Sequence, residues 1–169
     1  MTEIRVWFYN PCSDSSGWVN KLVSRLDPPY CHCELQFADD VSCSIYMGSN
    51  VLMKRRTFDD TCYDCVRLPC TVLQHSAMYA AASAFTQAQV QFSTAKMTGC
   101  LTWLPTSSDS SSTFCSKLCA DIMQGVSILA PGVETGKTSP SQLHRLLQCK
   151  LQLDAPPPAV RGIAIDFRT

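Results

Sequence analysis

"SSDSSSTFCSKLCADIMQ" occupies residues 107–124 and carries the chain from a serine-heavy loop into a helical pattern. Apolar Phe114, Leu118 and Ile122 recur at every fourth position, with Cys115, Cys119 and Met123 on the adjoining row. That is the period of one helix face. Thr113 or Ser112 is the expected N-cap, which puts Cys115 in the first turn. Unpaired backbone N–H groups and the positive end of the helix dipole favour a thiolate over a thiol there. Cys115 is therefore a candidate nucleophile. The competing reading is a buried structural cysteine, a common fate of free thiols.

The rest of the chain bounds that reading. Its 169 residues suffice for one domain with a substantial core. Residues 1–169 read as a single domain in which 154–169 form a proline-rich spacer followed by a C-terminal strand or tail. Fourteen basic and fourteen acidic residues balance, so no nucleic-acid partner and no anionic membrane surface is expected. No apolar run approaches the ~18 residues of a membrane span. The opening "MTEIRVWFYN" lacks the basic-then-apolar layout of a signal peptide. These features predict a soluble protein of the cytoplasm, where thiols stay reduced.

Eleven cysteines, an odd number, would leave one over from any complete disulfide framework. "CHC" (Cys31, His32, Cys33) and "CYDC" (Cys62 to Cys65) together offer a zinc-stabilised binding module through Cys31, Cys33, Cys62 and Cys65. Against it, "CHCELQF" alternates as a strand does, which turns Cys31 and Cys33 away from His32. No metal or other cofactor is expected, and most of the cysteines read as small core residues.

The pattern along the chain predicts an α+β fold: a small, mainly antiparallel sheet packed against helices. "IRVWFYN" opens as a strand, and "WVNKLVSRL" follows as a short amphipathic helix with a Trp18, Leu22, Leu26 stripe joined by Val19 and Val23. "CHCELQF" and "SCSIYMG" form a hairpin across "ADDV", and "NVLMKRRTF" and "CVRLP" add strands. "HSAMYAAASAFTQAQ" is helical, with Met78, Ala81, Ala82 and Phe85 on one face, and "VQFSTAKMTGCLTWLP" combines loop and a short helix. "SPSQLHRLLQC" is a last helix with Ser139 as cap and Pro140 at its first position.

A nucleophile needs a base, and the chain has three histidines. His75 falls just before the alanine-rich helix, and His144 is flanked by apolar helix positions and Arg145. His32 differs, because its same-face neighbours on the strand are Tyr30, Glu34 and Gln36. A thiolate, an imidazole and a group that fixes its tautomer are the parts of a cysteine hydrolase. Glu34, two residues on, is about 7 Å away by Cβ position and can reach His32. A solvated strand carboxylate is the plainer reading of Glu34. The backbone N–H of Cys115 is placed to donate to an oxyanion.

Four segments resemble the circularly permuted NlpC-type papain-like hydrolases. "YCHCELQF" is similar to their His-x-(Gly or Glu)-apolar strand, and "VRLPCTVLQHSAMYAAASAF" to their strand leading into a central helix. "QVQFSTAKM" resembles the segment with a Phe-Ser or Tyr-Ser pair, and "TFCSKLCADIMQ" with "TSPSQLHRLL" the Cys helix and the Ser-Pro-x-x-Leu helix after it. Together they cover most of residues 30–147. The resemblance implies a permuted papain-like fold with the Cys at the N-terminus of a late helix. It implies Cys115 as nucleophile and His32 as base. For the third residue it points either to Glu34 or to the following strand, where Ser44 is the nearest position. Members with His-x-Glu resemble those of large DNA viruses, which implies host cytoplasm as the location. Their activities include cleavage of amides, thioesters and esters and transfer of acyl groups. The expected reaction is thiol hydrolysis of a protein or peptide substrate. The alternative is a non-enzymatic interaction module on the same fold; apolar Trp103, Leu104, Ile128 and Leu129 suit a substrate cleft and a protein interface equally.

Overall fold

In a computed structural model, residues 1–11, 17–102 and 111–154 are described. They form an α+β fold built on a five-stranded antiparallel sheet. Strand β1 (Thr2–Tyr9) lies inside the sheet, between β2 (His32–Gln36) and β5 (Tyr63–Cys70), with β3 (Val41–Ser44) and β4 (Leu52–Arg55) continuing beyond β2. The strand residues are β-branched, aromatic or cysteine at alternate positions, which suits a pleated surface with one buried face. Val6 pairs with Leu35 and Val66, and Phe8 with Cys33, so Ile4, Val6, Phe8, Cys33, Leu35, Cys43, Val66 and Leu68 share one side and are all buried. The same register places Trp7 opposite Glu34 and Tyr9 opposite His32 on the other side. A slip of one residue would exchange the two faces, so the apolar alternation also fixes where the polar stripe points.

Helices cover the apolar side. Helix α1 spans Trp18–Leu26, and α2 (Val72–Gln87) opens on a capping box between Thr71 and Gln74. That cap starts α2 ahead of His75, which therefore lies inside the helix. Met78 and Ala82 are buried and Ala81 and Phe85 pack beside them, the face expected from the sequence. In α1 only part of the expected stripe turns inward: Val23 is buried, whereas Leu22 and Leu26 are about half exposed at 49% and 58%. The side chains of Trp18 and Val19 lie outside the described residues.

Short strands β6 (Gln91–Phe92) and β7 (Ser112–Thr113) pair in parallel, flanking α3 (Thr94–Thr102). The pairing explains one departure from expectation. Ser112 and Thr113 belong to β7, and the extended run continues through Phe114, which is the N-cap residue of α4 (Cys115–Gln124). Helix α4 buries Leu118, Cys119, Ile122 and Met123 against the apolar face of the sheet. After it, Ile128 and Leu129 are buried too, which removes them from any exposed interface. Helix α5 (Pro140–Asp154) starts with a reciprocal cap, Gln142 N–H donating to Ser139 Oγ at 3.2 Å and Ser139 N–H to Gln142 Oε1 at 3.1 Å. Trp103, Leu104, most of the serine loop and the stretch expected to form a proline-rich spacer and edge strand lie outside the described residues. No helix among the described residues is long and apolar enough to cross a membrane.

Candidate active site

Cys115 is the first residue of α4, and its thiol meets the imidazole of His32, the first residue of β2. The two residues are distant in sequence. They converge because α4 packs across the inward face of β2, while β7 holds the helix start beside that strand's N-terminal end. Both side chains line one cavity of about 330 Å³. No side chain caps the first turn of α4, so its backbone N–H groups remain directed at the space beside Cys115.

His32 is clamped on two sides. Its ring stacks on Tyr46 with centroids 4.8 Å apart and planes 23° from parallel, and Nε2 stands 3.4 Å from Oε1 of Glu34. Glu34 is fully buried, yet its carboxylate is saturated. It accepts from the hydroxyls of Ser42 and Tyr46, both at 2.6 Å, and from the guanidinium of Arg56. Of the two candidates for the third position, Glu34 is the one set against the ring nitrogen. Ser44, also buried, neighbours the Tyr46 hydroxyl instead.

The charges follow from these contacts. The hydrogen bond from Cys33 and the neighbouring His32 hold the Cys115 thiol well below the ordinary range, against the effect of burial. Burial also opposes a charge on His32, but the Cys115 thiolate and the Glu34 carboxylate outweigh it and push the imidazole up to about 10. Glu34 resists its own burial through the bonds from His32, Ser42 and Tyr46, and is lowered to about 2. The resting site is thus a thiolate–imidazolium pair backed by a carboxylate. Four other buried thiols shift the opposite way: burial, with the charge on Cys115 second, pushes Cys31 and Cys100 up to about 12, and Cys33 and Cys43 also rise.

Sequence reading brought out Cys115, His32 and Glu34, and the structure brings all three together. It did not find Cys33, whose thiol points toward Cys115 from the core side and lies 3.9 Å from Cys119 Sγ. Nor did it find Arg56, Tyr46 and Ser42, which hold Glu34; the alternation along β3 would have put Ser42 on the same face as Glu34. The other histidines are engaged elsewhere. His144 packs against Phe8 and Tyr30, and His75 edges onto Phe37. Cys31, Cys33, Cys62 and Cys65 do not converge, and among the described residues no three of His, Cys, Asp or Glu stand together as a metal site. All ten cysteines among those residues are free thiols. Compared with family models, with curated proteins and with solved structures, the chain matches none.

Proposed function

We propose that this chain is a cysteine hydrolase of the permuted papain-like kind, cleaving an amide or thioester through an acyl-enzyme on Cys115. The observation that carries the reading is the ion pair itself: a buried thiol lowered and a buried imidazole raised, in contact, at an uncapped helix N-terminus. A merely structural cysteine in a core would be shifted upward, as Cys31 and Cys100 are.

The chemistry follows from the placement. The Cys115 thiolate attacks the carbonyl carbon, forming a C–S bond while the carbonyl oxygen becomes an oxyanion. Backbone N–H groups at the start of α4 donate to that oxyanion. The His32 imidazolium gives its proton to the leaving amine or thiol as the scissile bond breaks. The neutral imidazole then takes a proton from water, which attacks the thioester, and Cys115 leaves as the thiolate. Glu34 holds the ring in the orientation both proton transfers need.

The cavity supports an uncharged group beside the scissile bond. Besides the dyad, its walls among the described residues are Tyr9, Asn20, Val23, Ile45, Tyr63, Phe92 and similar side chains, with no Asp, Glu, Lys or Arg among them. A peptide with an apolar or aromatic residue next to the cleaved bond fits that lining. The free thiols fit a reducing compartment. Iodoacetamide labelling mapped by mass spectrometry tests the proposal. Cys115 should label near neutral pH faster than the exposed Cys149, and His32→Ala should remove the advantage. Equal labelling of Cys115 and Cys149 in the wild type would remove the ground for an enzyme and favour an interaction module.

A further inference from the structure

The third charge of the site has a keeper on the far side. Arg56 follows β4 directly, and its guanidinium donates to Glu34 Oε1 and to the Tyr46 hydroxyl through Nη1, and to the Tyr63 hydroxyl through Nη2 at 2.9 Å. It sits over the rings of Phe58, Tyr63 and Tyr46, with centroids at 4.9, 5.6 and 5.9 Å. Phe58 in turn stacks on Trp7 at 4.6 Å. The backbone beneath is pinned as well. Trp7 Nε1–H donates to Gln36 Oε1 at 2.7 Å, and Gln36 Nε2–H donates to the Arg56 carbonyl at 2.8 Å. Gln36 belongs to the same strand face as His32 and Glu34, so one stripe of β2 supplies the base, its orienter and the anchor of that orienter's counter-ion.

We propose that Arg56 is the positioning residue of this site: it fixes the Glu34 carboxylate and balances its charge, so that charges alternate from Cys115 through His32 and Glu34 to Arg56. This rests on the thiol-hydrolase reading. A buried carboxylate between two cations divides its field between them. Without Arg56, Glu34 is a buried anion balanced by His32 alone, and the site as a whole becomes more negative. The Cys115 thiol then ionises less readily. The other titratable and charged groups facing the site are Cys31 just before β2, Cys33 on β2, Cys43 on β3, Tyr46 after β3, Tyr63 on β5 and Cys100 on α3; Lys54 lies 6.0 Å over the Tyr46 ring. Among the described residues, Arg56 is the one lysine or arginine that pairs with Glu34.

The test is the rate of Cys115 alkylation by iodoacetamide as a function of pH, in the full chain. In the wild type the rate should rise through an acid limb far below that of an ordinary thiol. Arg56→Met should move that limb up by half a pH unit or more, a loss of about threefold or more in rate at pH values below it. Arg56→Lys, which keeps the charge but loses the planar fork, should move it less than Arg56→Met does. In a Glu34→Gln background, Arg56→Met should move the limb by less than half as much, because its effect runs through the carboxylate. Arg56→Gln carries the same comparison if Arg56→Met fails to fold. A limb unmoved by loss of Arg56, or moved equally in both backgrounds, overturns the positioning role while leaving the dyad standing. A wild-type Cys115 that titrates as an ordinary thiol overturns the enzyme reading and this role together.

Discussion

Nε2 of His32 lies 3.4 Å from Oε1 of Glu34, two residues along the same face of β2. The carboxylate stabilises the charged ring from a fixed position, and that contact makes the first prediction. Glu34→Gln keeps the size and loses the charge, so His32 should give up its proton more easily. The basic limb of hydrolysis, set by His32 at about 10, should fall to lower pH. Hydrolysis of any accepted substrate should drop roughly 10-fold to 100-fold, in the range that acid–base groups and their supports contribute. A pH–rate profile of the variant measures both.

In the wild type, hydrolysis needs a deprotonated Cys115 and a protonated His32, whereas alkylation needs only the thiolate. Hydrolysis should therefore be present above the lowered thiol pKa, hold through neutral pH, and be lost as pH rises through about 10. Alkylation should rise through the same acid limb and then stay level. A rate that merely climbs through the range of a free thiol would contradict the ion pair.

Glu34 also links the fold to acidity. Its pKa is lowered from 4.5 to about 2, so the stability it contributes is complete above the ordinary value and is lost as pH falls through about 2. Glu34→Gln should flatten that part of the acid-denaturation curve, measured by circular dichroism against urea.

Cys33 is the largest influence lowering the Cys115 thiol. Cys33→Ala should raise the acid limb of Cys115 alkylation without touching His32. The same change leaves a small void beside Cys119 in a fully buried position, so a loss of about 1 kcal/mol in stability should accompany it. Kinetics and urea titration separate the two effects.

The scaffold has its own sensitive point. Leu118 is fully buried in the centre of α4, between the helix and the sheet. Leu118→Ala should destabilise the protein by about 2–5 kcal/mol in denaturant titrations. Ser139→Ala, removing one half of the α5 capping box, should cost only about 1 kcal/mol.

The sheet and its helices were legible because each strand alternates and each helix repeats at the helical period. α1 fell where "WVNKLVSRL" placed it, and Cys115 lies in the first turn of α4 as expected. What the sequence left dark depended on pairing between distant segments. The parallel contact of β6 with β7 has no local signature, and it decides that Phe114 rather than Ser112 or Thr113 precedes the helix. The exposure of Leu22 and Leu26 depends on how far α1 rolls on its neighbours, which periodicity cannot fix. At the site, His32 and Glu34 were visible as an unusual polar stripe. Arg56 was not, since a basic residue at a strand end ordinarily reads as solvated, and only its aromatic surroundings from β1, β5 and the intervening turn draw it inward.

The order of the strands sets a timetable for assembly. The hairpins β2–β3 and β3–β4 close over short stretches of chain, β1 can pair with β2 early but gains β5 only later, and the Cys115 helix is made later than either. Contacts of such long sequence separation are entropically costly to form early and tend to form late in folding. During synthesis, His32, Glu34 and Arg56 can be gathered before Cys115 leaves the ribosome, so the base is in place before there is a nucleophile for it to activate.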